Sequence, residues 1–231
     1  MPTNEKSKVK RTMLESDSVR RAVEHSGHAA ILRSEEELSQ SLNEIQKSAP
    51  KNSAVWVFGY GSLIWNPMLD YVEKREAIVH GYHRGFYLWS RINRGSPEYP
   101  GLVLALDRGG ACRGVAYRLS PKSAMHELTI LWRREMLGRA YFPRWVQAQT
   151  NQGVISTITF IIDRASPAYT GKLTDEEIVE IASKAKGHYG SCADYLFETA
   201  SSFKENKIVD KKIDQLSQKL RVKLSQTSGR T

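Results

Sequence analysis

Two places in this chain carry residues whose types and spacing could do chemistry. The first reads Val55-Trp56-Val57-Phe58-Gly59-Tyr60-Gly61-Ser62-Leu63-Ile64-Trp65-Asn66-Pro67. Valine and aromatic residues suit a pleated, half-buried surface. Glycines on either side of Tyr60 let the backbone turn sharply and come close to something small. Successive backbone N–H groups in such a turn form a concavity that accepts carboxylate or carbonyl oxygen. Gly59, Tyr60, Gly61 and Ser62 are therefore a candidate binding loop, although a glycine-flanked turn after a strand can also do no more than reverse the chain. Ser62 invites the role of a nucleophile, but no histidine base adjoins it in sequence.

The second place is Glu135. A helix is predicted over 121–137, with Ser120 as N-cap, Pro121 in the first turn and Gly138 closing the end. Within it Ala124, Leu128 and Leu131 recur at steps of four and three and define the buried stripe. The next position of that stripe is 135. An ionised carboxylate on an apolar stripe is costly unless paired, and desolvation raises its pKa toward the range useful for proton transfer in both directions. The same spacing is also compatible with a helix-end carboxylate that reaches solvent and pairs with Arg139 or a neighbouring strand's arginine.

The elements that must position these residues follow from turn and cap signals. Residues 1 to about 30 are polar, unpatterned and expected to be disordered. Ser34 and Glu37 form a capping box for a helix over 35–47, after which Pro50 leads into a first strand at 54–60. Ala77-Ile78-Val79 and Phe86-Tyr87-Leu88-Trp89 are short β-like runs. Leu102–Leu106 and Cys112–Leu119 are predicted to meet as a hairpin across Arg108-Gly109-Gly110, and 141–149 and 154–162 across Asn151-Gln152-Gly153. Thr174 with Glu177 and Ser191 with Asp194 cap two later helices, and 207–224 forms a last, basic one. The fold class is α+β, a small, mostly antiparallel β-barrel with flanking helices. Residues 1–53 read as an N-terminal extension, 54–205 as the barrel domain and 206–231 as a basic C-terminal helix or tail.

Composition narrows the function classes. The chain of 231 residues is 40% hydrophobic and 26% charged, the balance of a soluble globular protein with one domain and an appendage. No apolar stretch approaches a membrane span and no secretory signal begins the chain. The two cysteines, Cys112 and Cys192, make no CxxC, and the six histidines are scattered, so neither disulfide nor metal site is expected. The net charge of +9 is unevenly placed: residues 1–50 hold eight basic and eight acidic groups, residues 204–231 eight basic and three acidic. A basic helix without interleaved aromatics is usually a solvated face, so nucleic acid is not the expected partner.

Together the two sites resemble the ChaC-type γ-glutamylcyclotransferases. The matching segments are Val57 to Trp65, Arg94-Gly95-Ser96-Pro97-Glu98-Tyr99-Pro100-Gly101 and Leu131-Trp132-Arg133-Arg134-Glu135-Met136. Fainter echoes are Ser166-Pro167-Ala168-Tyr169-Thr170-Gly171 and Asp194-Tyr195-Leu196. They fall in the family's order over about 55–200. The resemblance implies a cytosolic enzyme with a γ-glutamylcyclotransferase-like barrel, acting on glutathione without cofactor or metal. It puts the catalytic glutamate on Glu135 and the substrate cradle on Gly59, Tyr60, Gly61, Ser62, Leu63 and Ile64. Arg94 and Tyr169 join the implied substrate contacts. Departures are the long N-terminal extension and Leu137-Gly138-Arg139-Ala140-Tyr141, where bacterial relatives tend to show Thr-Gly.

The implied chemistry is compact. The γ-glutamyl α-amine attacks the amide carbonyl of its own side chain, closing a five-membered ring that releases cysteinylglycine and 5-oxoproline. Glu135 takes the amine proton and returns it to the departing nitrogen, while backbone N–H groups near Tyr60 to Leu63 meet the oxyanion. A covalent intermediate on Ser62 is unnecessary. Alternatives are the same closure on another γ-glutamyl amine or amino acid, motivated by Arg139, and a non-catalytic binding or regulatory module on the same barrel.

Overall fold

The computed structural model describes residues 9–25, 32–51 and 53–228. Ahead of the barrel, the capping box of Ser34 and Glu37 opens a helix, Glu35–Lys47 (α3), as expected. The stretch before it differs from expectation. Residues 9–25 contain two short helices, Arg11–Glu15 (α1) and Ser18–His25 (α2), which bury Leu14 and Val23. Their order comes from tertiary contact, not from an apolar repeat, which is why the sequence shows no pattern there. Residues 1–8 and 26–30 of that expectation lie outside the described residues.

The first strand, Trp56–Gly59 (β1), is wholly buried and runs into a single helical turn, Ser62–Trp65 (α4). Two long strands follow, Tyr71–Ser90 (β2) and Gly101–Leu119 (β3), and pair antiparallel along their whole length. This corrects the hairpin expected at Arg108-Gly109-Gly110. His80 faces Ala111 and Tyr82 faces Arg108, so Gly109 and Gly110 oppose Gly81 alone as a β-bulge. All three glycines have positive φ (83°, 102° and 70° for Gly81, Gly109 and Gly110). A bulge and a hairpin turn ask for the same left-handed glycines, so the local signal is genuine and only its context differs. The ribbon bends there instead of reversing.

The helix after β3 is Ala124–Glu135 (α5), begun three residues later than expected because 121–123 form turns, with Ser123 as N-cap. Gly138 takes no left-handed cap conformation and instead bridges to Leu32. Tyr141–Thr150 (β4) and Gly153–Ile162 (β5) form the second expected hairpin, with Gly153 at φ 106°. The strands close in the order β1-β3-β2-β4-β5, shut by parallel contacts of Val57 with Ile158 and Leu106 with Ile161. The α+β barrel with outer helices is thus the observed fold.

Asp175–Lys184 (α6) and Cys192–Glu205 (α7) carry the expected capping boxes, with the two-residue strands Lys186–Gly187 (β6) and Gly190–Ser191 (β7) between them. The last helix, Lys211–Ser228 (α8), is not merely a solvated basic face. Ile213, Leu216 and Leu220 are buried against the α6/α7 layer, and Lys219 pairs with Asp175 and Glu176 at 3.0 and 2.9 Å. Its apolar stripe was outweighed in the sequence by lysine count.

Candidate active site

The glycine turn after β1 is dictated by close packing. A Cβ on Gly59 would sit 3.0 Å from the Leu63 Cβ, and one on Gly61 would sit 3.2 Å from the Tyr195 hydroxyl. Between them Tyr60 points inward, its hydroxyl donating to the Phe160 carbonyl across the barrel at 3.0 Å. Its own carbonyl accepts from Arg84 Nη1 at 2.9 Å, and Arg84 is fixed by Asp210 at 2.6 Å. The turn is therefore gripped from both sides. The Ile64 N–H donates to the Gly61 carbonyl, whereas the first N–H groups of α4 have no carbonyl one turn earlier in the helix to receive them.

Opposite the turn stands the end of α5. Leu128, Leu131 and Trp132 seat this helix in the barrel core with Phe160 and Leu63, which carries Glu135 into a cavity of about 170 Å³. Arg134 also turns toward the cavity. Its Nε lies 2.9 Å from Glu135 Oε1, its Nη2 donates to Ser62 Oγ at 2.9 Å, and its Nη1 donates to the Asn66 and Pro67 carbonyls. One guanidinium thereby ties the carboxylate to the glycine turn. Burial raises the Glu135 pKa above the usual carboxylate range, and the charge and hydrogen bond of Arg134 reduce the rise without cancelling it. Burial likewise lifts the phenols of Tyr60, Tyr141 and Tyr195, the last to about 12, so all three stay protonated beside it.

The structure brings Tyr60, Gly61, Ser62, Leu63, Arg94 and Glu135 to the wall of this one cavity. Arg94 is buried, its guanidinium over the Trp65 and Tyr195 rings at 5.8 and 5.6 Å. Gly59 and Ile64 stand behind the wall; Ile64 packs into the helical layer with Tyr195. Tyr169 is elsewhere. Its hydroxyl donates to Asp107 Oδ2 at 2.9 Å, and Asp107 also holds Arg164 at 2.7 Å. Glu135 does not pair with Arg139, which lies at the surface with both carboxylate oxygens of Glu37 on it. The altered corner at 137–141 thus reaches the cavity only through Tyr141.

Residues the sequence reading missed include Arg134, Asn66 and Tyr141 on the cavity wall, and Glu127 behind it. Glu127 is wholly buried one turn into α5 and receives Arg11 Nη1 and Nη2 on its two oxygens at 2.7 and 2.8 Å. A step of three from Ala124 lands on Glu127 and one from Leu131 on Arg134, so the helical repeat contained both. Among the described residues no group of three or more His, Cys, Asp or Glu could hold a metal ion. No helix there is long and apolar enough to cross a membrane.

Residues 55–223, which include the glycine turn, Arg134 and Glu135, match the ChaC-like protein family. The chain belongs to the ChaC-like family. Among relatives, the glutathione-specific γ-glutamylcyclotransferase of Escherichia coli is 39% identical over 73% of this chain and 73% of its own. The glutathione-specific γ-glutamylcyclotransferase 1 of Danio rerio is 32% identical over 64% of this chain and 78% of its own. In fold, this ChaC-like chain is similar to the crystal structure of a γ-glutamyl cyclotransferase specific to glutathione from yeast. That likeness has a TM-score of 0.66 and 23% identity, covering 74% of this chain and 96% of the other.

Proposed function

We propose that this protein cleaves glutathione to 5-oxoproline and cysteinylglycine, with Glu135 as general base and then general acid. The observation that carries the reading is the buried, pKa-raised Glu135 facing the glycine turn, in a chain 39% identical to a relative named for that activity. The substrate's α-amine nitrogen bonds to its γ-carbonyl carbon, and the bond from that carbon to the cysteinyl nitrogen breaks. Glu135 accepts a proton from the attacking amine and delivers it to the departing nitrogen, so no net proton is gained or lost. A carboxylate pKa lifted toward working pH serves both transfers. Orientation in the cavity replaces an external nucleophile.

The backbone N–H groups of Tyr60 to Leu63 are the donors for the oxyanion. Two guanidinium groups on the wall, Arg94 and Arg134, complement the two carboxylates of glutathione. Gly59 and Ile64 support the turn from behind, and Tyr169 acts at a distance from the reacting atoms by fixing Asp107. Residues 54–205 are read as the barrel unit, 1–53 as an N-terminal extension and 206–231 as a basic C-terminal helix or tail. Two buried free thiols suit a reducing, cytosolic setting. Purified protein incubated with millimolar glutathione should release 5-oxoproline in parallel with cysteinylglycine. Absence of both products sinks the assignment.

A further inference from the structure

The hold on the glycine turn also carries charge. Arg84, within β2, donates through Nη1 to the Tyr60 carbonyl at 2.9 Å, and its Nε lies 2.6 Å from Asp210 Oδ2. Its side chain is only 5% exposed, with the guanidinium 4.2 Å over the Phe203 ring, so little water competes for it. Asp210 is itself anchored at the start of α8, where its Oδ1 accepts from the Ile213 N–H at 3.1 Å. A charged donor is thus fixed on the turn from the entry to a helix that has no residue on the cavity wall.

The Tyr60 carbonyl and the Gly61 N–H belong to one peptide group. In a trans peptide, as here, the two point in opposite directions. Gly61 lines the cavity that holds Glu135, whereas Arg84 borders a separate hollow with His83, Cys112 and Asp210. The Gly61 N–H is therefore turned away from Arg84, toward the cavity. No backbone acceptor among the described residues takes it. The carbonyls of Gly61 and Ser62 receive uncharged backbone N–H groups, from Ile64 and Asn66, so the peptide of Tyr60 and Gly61 is set apart by its cation. A cation on a carbonyl oxygen draws charge through the amide and strengthens its N–H as a donor, more so in a low-dielectric interior.

We propose that Arg84 is a positioning residue that makes the Gly61 N–H the principal donor to the oxyanion, with Asp210 holding the guanidinium in place. The proposal rests on the functional reading above.

The test compares glutathione with its thioamide analogue, in which sulfur replaces the γ-carbonyl oxygen. Sulfur accepts hydrogen bonds weakly, so a donor aimed at the oxyanion favours the oxygen substrate. The readout is the ratio of kcat/KM for glutathione to kcat/KM for the analogue in the full chain, followed for both by release of cysteinylglycine. This ratio does not depend on the fraction of enzyme folded. Arg84→Met should lower it by about tenfold, a part of the roughly 10²- to 10³-fold that losing an oxyanion donor outright costs. Arg84→Met combined with Asp210→Asn leaves no charge of the pair behind and keeps an oxygen for the Ile213 N–H. The double variant should lower the ratio likewise, and it decides the matter should Arg84→Met fail to fold. With an active wild type, a ratio unchanged or raised in whichever variant folds overturns the positioning role alone, since a purely structural defect slows both substrates equally. A wild type that releases cysteinylglycine from neither compound overturns the functional reading, and the proposal falls with it.

Discussion

The two ends of α5 each bury a carboxylate beside an arginine, and the two sites behave oppositely. At the start, Glu127 receives two N–H groups of Arg11 and the backbone N–H of Asp70. Burial works to raise its pKa, but those hydrogen bonds and the Arg11 charge outweigh it and hold the group below the usual range. At the end, Glu135 has the one guanidinium of Arg134, shared with Ser62 and two carbonyls, and burial wins. The lesson is one of saturation. A buried carboxylate whose oxygens are filled is a rivet, whereas one left partly unfilled is available for protons.

The sharpest way to break that comparison is Glu135→Gln. Turnover of glutathione should fall about 10³-fold or more, with circular dichroism and melting close to wild type. Near-normal release of 5-oxoproline would make the two carboxylates alike. Next comes the pH profile of kcat/KM. As the proposed general base Glu135 works ionised, and burial raises its pKa, so the acid limb should fall at a pH above the ordinary glutamate value of about 4.3. A limb at or below that value contradicts the assignment.

Stability should separate the two groups with opposite signs. The lowered pKa of Glu127 contributes stability that is present above the unfolded value and lost as pH falls through the folded one. The raised pKa of Glu135 makes its charge a cost at neutral pH, relieved as pH falls through its folded pKa. Glu127→Gln should accordingly lower stability by about 2 kcal/mol at neutral pH and flatten the acid decline, as read by thermal melts across pH. The smallest effect belongs to Ser62→Ala. Ser62 accepts a hydrogen bond from Arg134, so its loss should cost less than about tenfold in kcat. A drop as large as that of Glu135→Gln would restore it as a nucleophile.

Much of this was legible in the chain because it is local. Capping boxes at Ser34, Thr174 and Ser191 act within four residues, and each helix starts where they said. The apolar stripe of α5 pointed to Glu135 for the same reason. What escaped was decided over distance. Arg11 has no pattern around it, and its partner lies 116 residues away. Gly109 and Gly110 give the same signal in a turn and in a bulge, and only pairing with Gly81 along a whole ribbon distinguishes them. Tyr169 stands in a segment that matched the family, yet Asp107, 62 residues distant, claims its hydroxyl.

The seam of the barrel has a consequence for how the protein comes into being. Its closing contacts join Val57 to Ile158, and Tyr60 to Phe160 across 100 residues of chain. Such non-local closure is slow relative to pairing within the β2–β3 ribbon. The cradle is therefore braced only after β5 exists, while α5, which carries Glu135, is already synthesised. A ribosome that has not delivered Phe160 holds a chain with Glu135 already made and no braced turn for it to face.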